Sequence, residues 1–270
     1  MNAMQPLMTS AAEAYRGLAP FYDELTREHD YEGWTRHLEE GARCYGVCGR
    51  RLLDAACGTG KSFLPFLERG YSVTACDISA EMLDLAAAKA PEASLFLADA
   101  RALGEVGSFD LITCLDDVMN YLVEDGDLDR VFASLAPNLA PGGVLVFDVN
   151  TLSTYRTTWA RDFALDGPDV FLTWRGRCSE SAQPGCLAEL TVEAFSETGP
   201  GLYERVTSDH VQRHHPRREV EAALAGAGLI AVGVFGLLPD GSLDELAPDD
   251  DLHHKLIYFA QRVAKGGDTE

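Results

Sequence analysis

Between residues 51 and 150 the chain alternates short, nearly unbroken apolar runs with stretches in which apolar residues recur every three or four positions. The runs at 51–55, 72–76, 94–98, 110–114 and 144–147 predict strands, and 63–69, 81–89 and 128–139 predict the helices between them. In the second helix Met82, Leu85 and Ala86 share one face, and Ser79 stands where a side chain can cap the first turn. Pro141-Gly142-Gly143 turns the chain into the strand at 144–147. Strands that are apolar on both faces and separated by helices form a parallel sheet covered on both sides.

The pattern then changes. Residues 171–179, 187–196 and 203–212 are long β-rich segments with no helical period between them, separated by turn-rich pieces at 181–185 and 197–201. They predict an antiparallel meander inserted into the α/β fold. The alternation resumes with a helix at 217–225, a strand at 229–238, an acidic loop at 240–251 and a last strand at 255–263. The expected organisation is a helical cover over 1–45, a Rossmann-like α/β core from 46–165 and 214–270, and an antiparallel β lid over 166–213. Residues 1–10 lack the basic start and apolar core of a secretory signal and read as a ragged tail.

A hydrophobic share of 46% and a charged share of 24% are those of an ordinary globular domain, and no apolar run is long enough for a membrane helix. The formal charge of −21 changes the picture more. Nucleic-acid binding rests on Lys and Arg displacing counterions, so nucleic-acid partners are disfavoured and a small neutral or cationic substrate is easier to accommodate. The seven cysteines are scattered without C-x-x-C spacing, which argues against a disulfide framework or zinc cluster and for a cytoplasmic location. Cys57, Cys76 and Cys114 read as small apolar residues at strand ends. Exposed lid strands leave a homodimer open.

Candidate chemistry begins at Asp54-Ala55-Ala56-Cys57-Gly58-Thr59-Gly60, where a buried strand runs into a glycine turn and then a helix. Glycine lets backbone approach a ligand closely, and helix-start amides receive anionic oxygens. A dinucleotide site needs G-x-G-x-x-G, and reading from Ala56 those positions hold Ala56, Gly58 and Lys61. The pattern fails twice. Two strand-end carboxylates follow instead: Asp77, whose oxygens suit vicinal ribose hydroxyls, and Asp99, which can accept from an adenine amino group. Strand-end Asp residues often cap the next helix instead, but the joint spacing of the two with the glycine turn favours three contacts to one nucleoside.

These residues resemble the class I S-adenosylmethionine-dependent methyltransferases over about 51–150. Leu53 to Gly60 is similar to the first motif of that family with Ala56 in place of its first glycine, a change tolerated if the position needs no positive φ. Phe109-Asp110-Leu111-Ile112 and Leu139-Ala140-Pro141-Gly142-Gly143 resemble later motifs. The resemblance implies a seven-stranded sheet with an antiparallel last strand, and S-adenosyl-L-methionine held by Ala56, Gly58, Gly60, Asp77, Ile78, Met82, Asp99, Ala100 and Leu115. Tyr22-Asp23-Glu24-Leu25-Thr26, Asp30-Tyr31-Glu32-x-Trp34, Asp117-x-x-Asn120-Tyr121-Leu122 and His210-Val211-Gln212-Arg213 resemble a narrower small-molecule branch, akin to glycine and antibiotic-sugar N-methyltransferases. There the resemblance implies that Tyr15, Tyr22 or Trp34 folds over the donor; the alternative is that these aromatics only pack the N-terminal helix.

The acceptor is expected at the carboxyl ends of the strands, where Leu115, Asp116 and Asp117 after the fourth strand and Asn150 after the fifth should surround the methyl group, with Tyr15, Asn120, Tyr155 and Arg213 as further substrate contacts. An amine acceptor needs only a neutral lone pair, oriented by a carboxylate or a tyrosine such as Tyr22. A hydroxyl acceptor benefits from a base, for which His210, His214 and Asp117 are candidates. Asp116 or Asp117 with Asp148 and Asn150 is similar to the magnesium set of catechol-type O-methyltransferases, but Val149 interrupts its adjacent Asp-Asn pair, so no metal is expected. The favoured reading is methylation of a small-molecule amine. A hydroxyl-directed methyltransferase and a non-catalytic nucleoside-binding protein remain the alternatives.

Overall fold

The computed structural model describes residues 11–244 and 250–263. The tail expected at 1–10 and part of the acidic loop lie outside them. In chain order the elements are α1 (Ala11–Leu25), α2 (Tyr31–Cys44), β1 (Arg51–Ala55), α3 (Leu64–Glu68), β2 (Ser72–Asp77), α4 (Ala80–Lys89) and β3 (Ser94–Leu97). Next come β4 (Phe109–Cys114), α5 (Asp127–Leu135), β5 (Leu139–Asn150), α6 (Leu152–Thr157), β6 (Asp162–Asp166), β7 (Val170–Gly176), β8 (Leu187–Gly199) and β9 (Leu202–Arg213). The chain closes with α7 (Arg217–Gly226), β10 (Leu229–Leu237), β11 (Leu243–Asp244) and β12 (Lys255–Arg262).

The main sheet has the order β11-β10-β12-β5-β4-β1-β2-β3. Strands β1 to β5 pair in parallel, and β12 runs antiparallel to both β5 and β10. This is the expected seven-stranded α/β sheet with the two-residue β11 added at its edge. Successive residues face opposite layers. Leu53, Ile112, Leu145 and Phe147 pack with Phe132 of α5 and Val220 of α7. Leu52, Leu111, Val144 and Val146 pack with Leu38 of α2 and Phe66 of α3. Fully burying each such side chain contributes about 1.5–3 kcal/mol.

Three local departures have physical causes. The helix expected at 128–139 stops at Leu135 and continues as the 3-10 turn Ala136–Asn138, because Pro137 cannot donate to the helical ladder. The Pro141-Gly142-Gly143 corner is absorbed into β5, with Leu139 already paired to Phe109 and a register shift taking up the extra residues. The second sheet, β6-β7-β8-β9, has a fourth strand beyond the three read from sequence. Every residue of β6 is exposed, so it carries no alternation of burial for the sequence to display. The inner face of this lid packs Leu172, Leu190 and Val192 against Leu18 of α1, Tyr155 and Trp159. Helix α1 thereby joins the lid to the core. Among the described residues no helix is long and apolar enough to cross a membrane.

Candidate active site

A cavity of about 350 Å³ opens at the carboxyl ends of β1, β2, β3 and β4, with Tyr15 and Tyr22 of α1 closing over it. Its floor is the turn after β1. Ala56 has φ 61°, Gly58 53° and Gly60 88°, so the premise that Ala56 needs no positive φ is overturned. Ala56 occupies a left-handed position that favours glycine. Gly58 lines the cavity; Gly60 lies outside the lining, and a Cβ on it would come within 2.8 Å of the Phe63 ring. Helix α1 is tied to the turn because Thr59 Oγ1 donates to Asp23 Oδ1 at 2.6 Å and Lys61 Nζ donates to the Thr26 carbonyl at 2.9 Å. Beneath the turn the buried Asp54 accepts from Ser62 at 2.6 Å and Thr113 at 2.7 Å, and burial pushes its carboxyl up to about 7.

Both strand-end carboxylates line the cavity and accept backbone amides, Asp99 as the cap of the 3-10 turn Ala100–Ala102, whereas α4 is capped by Ser79. Asp77 Oδ2 accepts the Gly58 amide at 2.8 Å and Oδ1 the Ser79 amide at 2.9 Å. Burial raises its pKa while the amides oppose that rise. Each oxygen keeps a further lone pair for a ligand hydroxyl. Asp99 accepts the Arg101 amide at 2.9 Å and the Arg101 guanidinium at 2.6–3.1 Å, and this pairing holds its carboxyl below the usual range. Ile78, Met82, Ala100 and Leu115 complete this end of the lining.

The opposite end follows β4. Asp116 and Asp117 are consecutive left-handed residues with φ 63° and 68°. Tyr31 Oη donates to Asp116 Oδ2 at 2.5 Å. The Lys255 ammonium donates to Asp117 and, at 2.7 Å, to Asp148, with Asp116 at 4.0 Å. Burial would lower the Lys255 pKa and raise that of Asp117; their mutual attraction reverses both, while the deeper Asp148 is pushed up to about 6. The carboxylates weighed as a magnesium set are therefore gathered around a lysine. Sequence reading missed Lys255 because it stands at the start of a strand whose next five residues, Leu256 to Ala260, are apolar.

Several sequence candidates lie behind the lining. Trp34 is 1% exposed and packs against His29 and Tyr31, so it does not reach the cavity. Asp117, Asn120, Asn150, Tyr155 and Arg213 form a polar seam between core and lid. Gln212 organises it, accepting from Asn150 and Tyr155 and donating to Asp117 at 3.3 Å. Asn120 donates to the Arg213 carbonyl and accepts the Asn150 amide, and the Arg213 guanidinium donates to Val123 O and Asp125. The buried His210 has its two ring nitrogens 2.9 Å from the Tyr121 and Ser208 hydroxyls. Burial pushes it down to about 4. His214 faces Asp250 outside the cavity. Asp116, expected beside the methyl group, lines the cavity, whereas Tyr31, Lys61, Arg101 and Tyr121 line it without having been singled out as its contacts; only the place of Tyr31 and Tyr121 in the motifs hinted at them.

Residues 52–143 match the methyltransferase domain family. YqeM of Bacillus subtilis, provisionally described as a methyltransferase, is 32% identical over 79% of this chain and 85% of its own length. The dTDP-4-amino-2,3,4,6-tetradeoxy-D-glucose N,N-dimethyltransferase of Saccharopolyspora spinosa is 30% identical over 79% of this chain and 85% of its own. A solved S-adenosylmethionine-dependent methyltransferase from Clostridium acetobutylicum superposes with a TM-score of 0.77 at 26% identity, covering 92% of this chain and 98% of that one. With relatives at 30% identity or more matched over most of their length and a solved methyltransferase sharing the fold, the chain belongs to the S-adenosylmethionine-dependent methyltransferase family.

Proposed function

We propose that this enzyme methylates the amine nitrogen of a small molecule. The observation that carries the reading is a single cavity with amide-bonded carboxylates at one end and tyrosine hydroxyls with Asp116 at the other. The residues present fit the donor. The spare lone pairs of Asp77 take the ribose hydroxyls, Asp99 takes the adenine amino group, and the backbone at Gly58 leaves room beside the Tyr22 ring, 3.9 Å from an added Cβ. When bound, S-adenosylmethionine supplies a methyl carbon whose bond to sulfur breaks with its electron pair as the acceptor's lone pair forms the new carbon–nitrogen bond.

The chain's own residues orient and desolvate. Tyr15 and Tyr22, seven residues apart on one face of α1, exclude water over the site. Burial keeps the Tyr22 hydroxyl protonated, so it serves as a hydrogen-bond donor rather than a base. A hydroxyl acceptor would need a base, and His210 is a weak one, pushed down to about 4 with both nitrogens occupied. An amine needs none. The amino-sugar substrate named for the Saccharopolyspora relative supports the same class of acceptor. The test is turnover of S-adenosylmethionine with a panel of primary and secondary amines and matched alcohols, read as S-adenosylhomocysteine release. Turnover with amines and none with the alcohols is expected; the reverse would overturn the reading.

A further inference from the structure

The relative's named substrate carries its amine on a nucleotide diphosphate. A diphosphate is recognised by unengaged Arg or Lys side chains or by free helix-start amides. Among the described residues the cations lining this cavity are Lys61 and Arg101, and both are engaged. Arg101 is held by Asp99 and Asp127, while Lys61 is bonded to the Thr26 carbonyl and hydroxyl and lies 5.1 Å from the Tyr31 ring centroid. Behind the lining, Arg213 is paired with Asp125, itself 97% exposed. Glu124 adds a further carboxylate to the lining. Residues 1–10 and 245–249 contain no Lys, Arg or His in their sequence, and 264–270 contain one, Lys265.

What the acceptor end offers is suited to the opposite charge. Tyr15 packs edge-on against Tyr22 and Tyr121, with ring centroids 5.9 and 5.4 Å away. Tyr31 orients Asp116 through one carboxylate oxygen and leaves the other 4.0 Å from Lys255. Ring faces and a partly desolvated carboxylate attract a cation. We propose that Asp116, with Tyr15, Tyr22, Tyr31 and Tyr121, selects a phosphate-free amine and disfavours a nucleotide-diphosphate-linked one. The inference rests on the amine reading above. The amine donates an N–H to Asp116 with its lone pair directed at the methyl carbon. The positive charge that develops on nitrogen then faces the carboxylate and the rings, and the ammonium product releases its proton to solvent.

The experiment compares an amino-dideoxyhexose as its simple methyl glycoside with the same sugar linked to dTDP, using the full chain and S-adenosylmethionine. The glycoside is expected to show a kcat/KM about tenfold or more above the dTDP form. Equal or better turnover of the dTDP form overturns this inference and leaves amine methylation standing. Turnover of neither, with none of the amine panel turned over and S-adenosylhomocysteine still bound, overturns both. Asp116→Asn keeps a side chain that tolerates the left-handed backbone. It is expected to raise the glycoside KM about tenfold while S-adenosylhomocysteine affinity by calorimetry moves less than about threefold. Tyr31→Phe, which keeps the ring and frees Asp116, should raise KM by a smaller factor. An Asp116→Asn protein that loses donor affinity as much as acceptor KM would instead place Asp116 at the donor and overturn the assignment.

Discussion

The two ends of the cavity are built by opposite means. At the donor end the carboxylates are fixed by neighbours: Asp77 takes an amide two residues on and one from the adjacent β1 turn, and Asp99 takes one two residues on. At the acceptor end the contacts span the chain: 85 residues from Tyr31 to Asp116, 95 from Gln212 to Asp117 and 138 from Lys255 to Asp117. Local amides hold the donor end whatever surrounds it, whereas the acceptor end depends on a buried charge network that many segments must complete.

Removing one charge should therefore do most damage at the acceptor end. Lys255→Met leaves Asp117 and the fully buried Asp148 facing each other without their cation. Breaking a buried pair by deleting one partner costs about 3–5 kcal/mol. Urea unfolding at neutral pH should show a loss of that size, partly restored by adding Asp148→Asn. A loss below about 1 kcal/mol, the range of surface pairs, would mean that solvent already screens the cluster and that the contrast between the two ends is false.

At the donor end the expected loss is in binding rather than folding. Asp77→Ala removes two charge-assisted bonds that this reading assigns to the ribose. At about 1.5 kcal/mol or more each, S-adenosylhomocysteine affinity should fall about 100-fold. Calorimetry measures it, and thermal unfolding in the absence of ligand should move far less than for Lys255→Met. Undiminished affinity would remove Asp77 from the donor site.

This contrast also explains what the sequence disclosed. The parallel core, the lid and the carboxylates at Asp77 and Asp99 were legible because each depends on spacing within one or two adjacent elements. Asp116 was legible in the same way, from its place directly after β4, but Lys255 was not, since nothing around it announces that β12 lies beside β5 and brings the ammonium to Asp148. Trp34 misled for the same reason: its motif neighbour Tyr31 reaches the cavity while Trp34 packs behind it. Asn120, Asn150, Tyr155 and Arg213 were placed in the right neighbourhood but bond mainly to one another and to Gln212. The left-handed backbone at Ala56 was hidden by the residue type itself.

A pH series sharpens the comparison at the next scale down. Burial lifts Asp54 from its ordinary 3.8 to about 7, so the folded state favours its protonated form. The associated stability is fully present below the unfolded pKa near 3.8 and is lost as pH rises through about 7. Asp54→Asn cannot titrate, and the Ser62 or Thr113 hydroxyl can rotate to accept from its amide. Between pH 5 and 8 the wild type should lose on the order of 2 kcal/mol relative to the variant. Parallel stability profiles would show that Asp54 is ionised throughout.

The smallest effect tests whether the donor turn is strained. A non-glycine residue in the left-handed region costs roughly 1–2 kcal/mol, and Ala56 sits there at φ 61°. Glycine would relieve that cost but adds freedom to the unfolded chain worth about 0.4–1 kcal/mol. Ala56→Gly should thus stabilise by about 0.5–1 kcal/mol, seen as a higher urea midpoint with unchanged slope. Asp116 and Asp117 share the conformation at φ 63° and 68°, yet their side chains bond to Tyr31 and Lys255, so glycine at either should destabilise. Opposite signs at Ala56 and Asp117 would separate a turn that tolerates its residue from one that needs it. A lower midpoint for Ala56→Gly would mean that its methyl group packs well enough to outweigh the strain, and that the donor end too depends on its surroundings.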